Sequence, residues 1–411
     1  MPVLDNLTHD AALTLRAIFS LTQATRASIL NETGLSKGRS TAAIQELRDL
    51  GFIASREETP QGQGRPSFIY SISPGALYAV GAALKVGMCR ISVVSGAGDI
   101  LENISLPTPT GAFEEQELLG VLARVRAGVR DAISRLEPAR FVALGISVLG
   151  RVDTERGVWL SGLQYGPFRN VNVPARFSDL RVPVIVEDHA RSVAFGEMRR
   201  QGGSPREDFA LLYMGEGLGS ALVLDGRLYR GRHGVAGEIG HVALQGNDKR
   251  CVCGDTGCLE TVASGAGILS SLRARILEGV VTTLRARVEA GETPSLSAIG
   301  EAAAAHDRLA EQVLQEAGAA LGEACSLVMK MVNPPRIIVS GDAAALSESL
   351  AEPMNRRIRE RAPLEARLDF GTSFARYTEN DEAVGVALLS IDKALSDRVA
   401  QGPLPEGRHD E

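Results

Sequence analysis

Four side chains that bind borderline-soft metal ions fall within 18 residues: His241, Cys251, Cys253 and Cys258. Two thiols stand one residue apart, and the third follows a turn containing Gly254 and Gly257. Three thiolates and one imidazole fill a tetrahedral shell. Structural zinc takes this set, and it leaves no open position for a water. The glycines let the backbone fold back so that the sulfurs converge. A buried reduced cluster and a disulfide are the alternatives; three thiols in eight residues beside a histidine favour the metal. Glu238 and Glu260 flank the set and are not needed to fill it. They read either as ordinary surface acids or as carboxylates that a rigid knuckle presents to the vicinal hydroxyls of a polyol.

At these residues the chain resembles the ROK family (repressors, open reading frames, sugar kinases). The family signature is an AGEIGH box followed by a CxCGxxGCxE knuckle, and both stand here nearly letter for letter, at 236–241 and 251–260. The resemblance covers essentially the whole chain except the tail. It implies an α/β fold: a two-lobed, actin-like (ribonuclease H-like) domain around a cleft. It also implies that Glu238, His241 and Glu260 face sugar hydroxyls, with Glu187, Asp188 and His189 on the opposite wall.

Kinases of that family open with a hairpin of the form G-I-D-I-G-G-T-K, whose acid and glycines serve nucleotide phosphate and its metal. The corresponding residues here run from Gly81 to Met88, with Ala83 at the acid and Lys85 and Val86 at the glycine pair. A side chain at a close-approach glycine keeps backbone amides away from phosphate. The family's V-E-N-D-A-N segment matches Val186 to Arg191. Without a gap, His189 falls on the catalytic Asp and Arg191 on the second Asn; a shift of one residue would restore Asp188 as the base. An imidazole can accept a proton, but its length and near-neutral pKa differ from a carboxylate's. As a plain helix-start residue His189 has no chemistry. Gly215 to Gly219 matches the second phosphate loop, with Glu216 where Thr is usual, and Ser340-Gly341 stands for an adenosine-side Gly-Gly pair. Ser161-Gly162-Leu163 replaces the Pro-Asn-Leu whose Asn touches sugar in kinases.

A chain of 411 residues is long for one domain. Its 44% hydrophobic content is ordinary for a soluble protein, and its net charge of −6 supplies no global field for nucleic acid. No apolar run is long enough for a membrane span, and the first residues lack a basic region followed by an apolar core. Five cysteines, three in the knuckle, fit a reducing, cytoplasmic compartment; Cys89 and Cys325 read as small core residues.

The N-terminal 75 residues read as helix, turn, helix, then hairpin, the order of a winged helix-turn-helix. Residues 8–20 and a stretch from Arg26 to the turn at Gly34 are the first two helices. Ser36 caps a third, with Ile44, Leu47 and Leu50 as its buried stripe. Ser36, Lys37, Arg39, Ser40, Thr41 and Gln45 would then face base edges in the major groove. Gly64 and Arg65 tip a wing that reaches the minor groove or phosphate. A small three-helix interaction module with solvated charges is the bland alternative.

The expected organisation is a reader head over 1–75, a ROK domain over 76–397 and a disordered tail over 398–411. The ROK domain divides into lobes of about 76–190 plus the C-terminal helix, and 191–380. The function expected is a sugar-responsive regulator that binds operator DNA, most simply a repressor. It would be a homodimer or homotetramer, with structural Zn2+ and no phosphoryl transfer. An ATP-dependent sugar kinase that also binds DNA, and a repressor governed by a protein partner, are the alternatives.

Overall fold

The computed structural model describes residues 3–58, 67–110, 115–137, 140–162, 165–166, 168–200, 207–365 and 370–402. They gather into two compact units, Met1–Arg206 with Asn380–Glu411, and Glu207–Glu379. No described helix is long and apolar enough to cross a membrane.

The first unit begins with three capped helices. In α1 (His9–Leu21) the Thr8 hydroxyl accepts from the Ala11 amide. A reciprocal Thr25–Ser28 capping box starts α2 (Arg26–Thr33), and Gly34 ends it at φ 65°. Ser36 caps α3 (Lys37–Asp49), as expected. Strands β1 (Ala24–Thr25), β2 (Ile53–Glu58) and β3 (Ser67–Ile72) form an antiparallel sheet in the order β1-β3-β2. Leu15, Ile18, Phe19, Ile29, Ile44 and Leu47 make the core of this head. Leu50, expected in the stripe, is 48% exposed. It lies beyond the last helical residue, and Phe52 folds back to take the core place, its amide on the Leu47 carbonyl at 2.8 Å. The wing residues Gly64 and Arg65 lie outside the described residues.

The rest of this unit is a five-stranded sheet in the order β11-β7-β4-β5-β6. Its strands are β4 (Tyr78–Lys85), β5 (Met88–Ser95), β6 (Ile100–Pro107), β7 (Phe141–Val148) and β11 (Val184–Asp188). The β4-β5-β6 meander is antiparallel, and β4, β7 and β11 are parallel. Helix α4 (Glu115–Ser134) buries Leu118, Val121, Leu122, Val125 and Val129 against it. A small sheet of β8 (Arg151–Asp153), β9 (Val158–Ser161) and β10 (Val171–Asn172) holds Trp159, the chain's single tryptophan, edge-on to Tyr165 and Phe168. Helices α5 (His189–Arg200) and α12 (Asp381–Ala400) pack on each other and on the sheet. A Cβ at Gly81 would sit 1.8 Å from the Ala383 carbonyl oxygen, and one at Gly145 2.3 Å from that of Val386. Both glycines therefore admit the backbone of α12.

The second unit repeats that sheet order. Strands β12 (Phe209–Met214), β13 (Leu218–Leu224), β14 (Arg227–Tyr229), β15 (Arg336–Ser340) and β16 (Gly371–Phe374) run β14-β13-β12-β15-β16, again a three-strand antiparallel meander joined to parallel strands. Helices α6 (Glu260–Ala263), α7 (Gly265–Leu277), α8 (Arg285–Glu289), α9 (Leu296–Ala304), α10 (Arg308–Met331) and α11 (Ser347–Arg361) complete it. The long α10 is central to one apolar core with α11 and the strands.

The head does not hang free of its own unit. Helix α12 continues to Ala400, past the start of the expected tail, and Arg398 in its last turn is only 3% exposed. Its Nε donates to the Leu4 carbonyl at 3.1 Å and its Nη2 to that of Leu7. At the end of α5, the Arg199 guanidinium lies over the Phe19 ring of α1, 4.0 Å from its centroid. Burial pulls the Arg199 pKa down to about 10. Removing the Arg398 donors takes the partner of the buried Leu7 carbonyl and leaves that of Leu4 only the Leu7 amide, a loss of about 1–3 kcal/mol. Arg398→Met is therefore expected to lower the denaturant midpoint of the transition reported by Trp159 fluorescence, with Arg398→Lys intermediate. An unchanged midpoint in the Met variant contradicts the latch.

Candidate metal and ligand site

The knuckle is a short irregular hairpin between β14 and α6. Bridges pair Ala243 with Cys258 and Arg250 with Thr256, and the Cys251 amide donates to the Asp255 carbonyl at 2.9 Å. Gly254 and Gly257 take φ 101° and 87°, a region that only glycine enters cheaply. The ligand atoms of His241, Cys251, Cys253 and Cys258 all lie within 4.8 Å of one another. The Cys253 and Cys258 sulfurs are 3.7 Å apart, and Cys251 Sγ is 3.7 Å from His241 Nδ1. Zinc–sulfur bonds of about 2.3 Å at tetrahedral angles set sulfurs roughly 3.8 Å apart. A disulfide needs about 2.05 Å, and all five cysteines are free. The donor set thus fits a tetrahedral cation. Burial pushes the Cys251 and Cys258 thiols above the ordinary cysteine range, so metal uptake must displace protons.

Two carboxylates frame the same imidazole. Glu260, nearly buried at the start of α6, accepts from the Cys251 thiol at 3.2 Å and, through its other oxygen, from the Leu218 amide at 3.3 Å. Its Oε1 is 3.8 Å from His241 Nδ1. Glu238 is partly exposed, with Oε2 3.5 Å from His241 Nε2. One ring nitrogen therefore faces the thiols and the other faces Glu238. The structure brings Glu238, His241 and Glu260 together around the knuckle.

The second expected group belongs to the first unit and is largely sealed. Glu187 is fully buried, and its Oε1 accepts from Arg191 Nε at 2.6 Å. His189 is 2% exposed. Its Nδ1 lies 2.7 Å from the Ser147 hydroxyl and its Nε2 3.0 Å from the Leu84 carbonyl. Both ring nitrogens are bonded within the interior of the first unit. Asp188 keeps partial exposure, its side chain 17% accessible, pairs with Arg191 and accepts from the Arg191 amide at 2.9 Å. Arg191, itself buried, was read in the sequence only as the counterpart of the family's second Asn, not as a partner of Glu187. Its i, i+4 spacing from Glu187 is the signal that could have found it.

The positions matched to the kinases' phosphate hairpin lie on β4 and its turn into β5. Ala83 is buried on β4. Lys85 and Met88 pair across a two-residue turn, and Lys85 Nζ lies 3.4 Å from Oε1 of the buried Glu382. The Lys85 charge thus faces the first turn of α12. Across the second loop, the Gly215 amide donates to the Gly217 carbonyl at 3.1 Å, and the Gly215 carbonyl accepts from Gly265 at 2.8 Å.

In the head, the residues expected at base edges divide. Lys37, Arg39, Thr41 and Gln45 are exposed along α3. Ser36 spends its hydroxyl on the cap, and Thr41 donates to the Lys37 carbonyl at 2.7 Å. Gln45 donates to Asp49 at 2.7 Å. Ser40 is 1% exposed and faces the head core, which removes it from the reading surface.

The family model described as ROK family matches residues 83–393. Among curated proteins, the chain is 24% identical to the xylose repressor of Caldicellulosiruptor bescii over 93% of this chain and 96% of that one. It is 25% identical to the DNA-binding transcriptional dual regulator NagC of Escherichia coli over 81% of this chain and 80% of that one. Among solved structures, a ROK family transcriptional regulator described as a homolog of E. coli MLC superposes with TM-score 0.77 at 26% identity, covering 96% of this chain and 100% of its own. A ROK family glucokinase from Streptomyces griseus, in complex with glucose and AMPPNP, superposes with TM-score 0.65 at 26% identity, covering 76% of this chain and 99% of its own.

Loss of one sulfur from the donor set should cost the metal. Cys253→Ser is expected to fall from about one zinc per chain to well below half by atomic absorption, and to expose amides of residues 237–260 to hydrogen exchange. Full metal content in that variant would remove the assignment.

Proposed function

The chain belongs to the ROK family, and on that premise we propose that it is a sugar-responsive DNA-binding regulator of transcription, acting as a repressor of carbohydrate genes. The observation that carries this reading is the joining of two parts in one chain. A three-helix head with a hairpin is latched through Arg398 of α12 and Arg199 of α5, two helices that pack on the first sheet of the ROK domain. The coverage of the relatives agrees. The repressor and the regulator span nearly the whole chain, whereas the glucokinase covers 76% of it.

The head acts as a winged helix-turn-helix with α3 in the major groove. Zinc on His241, Cys251, Cys253 and Cys258 is structural: four protein ligands complete its shell and fix the backbone that carries Glu238 and Glu260. Those carboxylates and the outward nitrogen of His241 hydrogen-bond sugar hydroxyls. The sugar then changes operator affinity by binding one conformation better than the other. A dimer presents two heads to two half-sites.

Phosphoryl transfer is not part of this reading. The resemblance to kinases calls for an acid where Ala83 stands, a glycine pair where Lys85 and Val86 stand, and a solvent-reachable base where His189 is buried. The glucokinase likeness keeps the kinase reading as the second one.

Operator-bound protein titrated with a panel of pentoses, hexoses and N-acetylated amino sugars should show at least one sugar shifting operator affinity by roughly 5- to 100-fold. No response anywhere in the panel would overturn the sugar reading. ATP consumption dependent on any of these sugars would establish the kinase instead.

A further inference from the structure

The start of α1 is tied to α3 at two places. The Thr8 amide and hydroxyl both donate to Glu46, at 2.9 and 2.7 Å. Two turns nearer the start of α3, Arg39 donates from Nε to Asp10 Oδ2 at 2.7 Å and from Nη2 to Asp10 Oδ1 at 2.5 Å. This is a side-on bidentate pair. It consumes the Nε hydrogen and the near hydrogen of Nη2. The end-on edge, one N–H from each terminal nitrogen, points away from the carboxylate. The Arg39 side chain is 62% exposed, and Asp10 lies half beneath it at 23%. Arg39 is the third residue of α3, where a recognition helix meets base edges.

An exposed ion pair adds little to stability, so stability does not account for this one. What it does is orient. A guanidinium is a planar fork, and holding one side fixes the plane and direction of the other. Two parallel N–H groups match O6 and N7 of guanine in the major groove. A free arginine samples many rotamers and also meets phosphates, whereas a held one reaches the base with its ordering cost already met. Asp10, being an acid, also discourages Arg39 from swinging out to the backbone.

We propose that Asp10 is a specificity-determining residue: it holds Arg39 so that its outer edge reads one guanine in each half-site. This rests on the operator-binding reading. Among the described residues Asp10 is the partner recorded for Arg39, so the idea turns on a single contact.

The test uses the full zinc-loaded chain. Bound duplexes are selected from a random pool, and the enriched site is then measured with every single-base change. The wild-type site should contain a guanine whose replacement by adenine weakens binding roughly tenfold or more. In Asp10→Asn and Asp10→Ala that penalty should shrink to about threefold or less, while penalties at the other positions stay. Because the pair is exposed, both variants fold, which circular dichroism checks. If both Asp10 variants keep the full guanine penalty, the proposal fails. It also fails if Arg39→Ala weakens all duplexes alike and reduces the salt slope by about one, because Arg39 then contacts phosphate. Absence of any enriched sequence would instead sink the operator reading, and this proposal with it.

Discussion

Four donors from three stretches of backbone must meet within a few ångströms, and that requirement organises the second unit. His241 arrives from a short helical turn, Cys251 and Cys253 from one arm of a hairpin and Cys258 from the other. Without a cation, buried thiols whose pKa values are raised give this loop little reason to hold so irregular a path. With one, the loop becomes a rigid platform. Glu260 is fixed to the start of β13 through the Leu218 amide. Glu238 is fixed through the outer face of the same imidazole. Directional hydrogen bonds to a polyol need acceptors that do not move, and a knuckle supplies them at a position where secondary structure does not.

The first unit settles its buried charges in the opposite way, by pairing them. Glu187 with Arg191, Lys85 with Glu382 and Arg398 with two carbonyls are each costly to bury alone and tolerable together. Lys85 stands where the resemblance puts a glycine of the kinases' phosphate hairpin, and Arg398 fastens the head. Helix α5 joins the two roles. It begins at His189, beside the partly exposed Asp188, and ends at Arg199 against Phe19 of the head. Twelve residues make a rod of roughly 18 Å. A shift at one end therefore has a stiff element through which to reach the other.

Much of this could be read in the linear chain. The metal set was legible because its spacing is local and few chemistries need three thiols so close together. The head helices were legible from their apolar spacing, with Ser36 announcing one start and Gly34 a stop. The strand meander after residue 76 was legible from its turns. What escaped depends on contacts distant in sequence. The sheet order shared by the two units left no repeat in the letters, since topology is conserved by pairing and not by side chains. His189 and Glu187 were assigned to a wall because their types suit chemistry, yet Ser147, Leu84 and Arg191 enclose them. Leu50 left the stripe because α3 ends before it and Phe52 folds back into the core, while Ser40 is buried one turn before Ile44. Arg398 was placed in a tail because composition there is polar, and composition cannot see a carbonyl across 394 residues of chain.

The central claim is that the cation holds a sugar-binding set in a body with no working phosphate site. Calorimetric binding of the responding sugar to zinc-loaded and zinc-stripped protein, each with and without ATP and magnesium, tests it most directly. The account predicts saturable binding only with zinc, unchanged by the nucleotide. Equal binding after zinc removal, or sugar turnover once nucleotide is added, would contradict it.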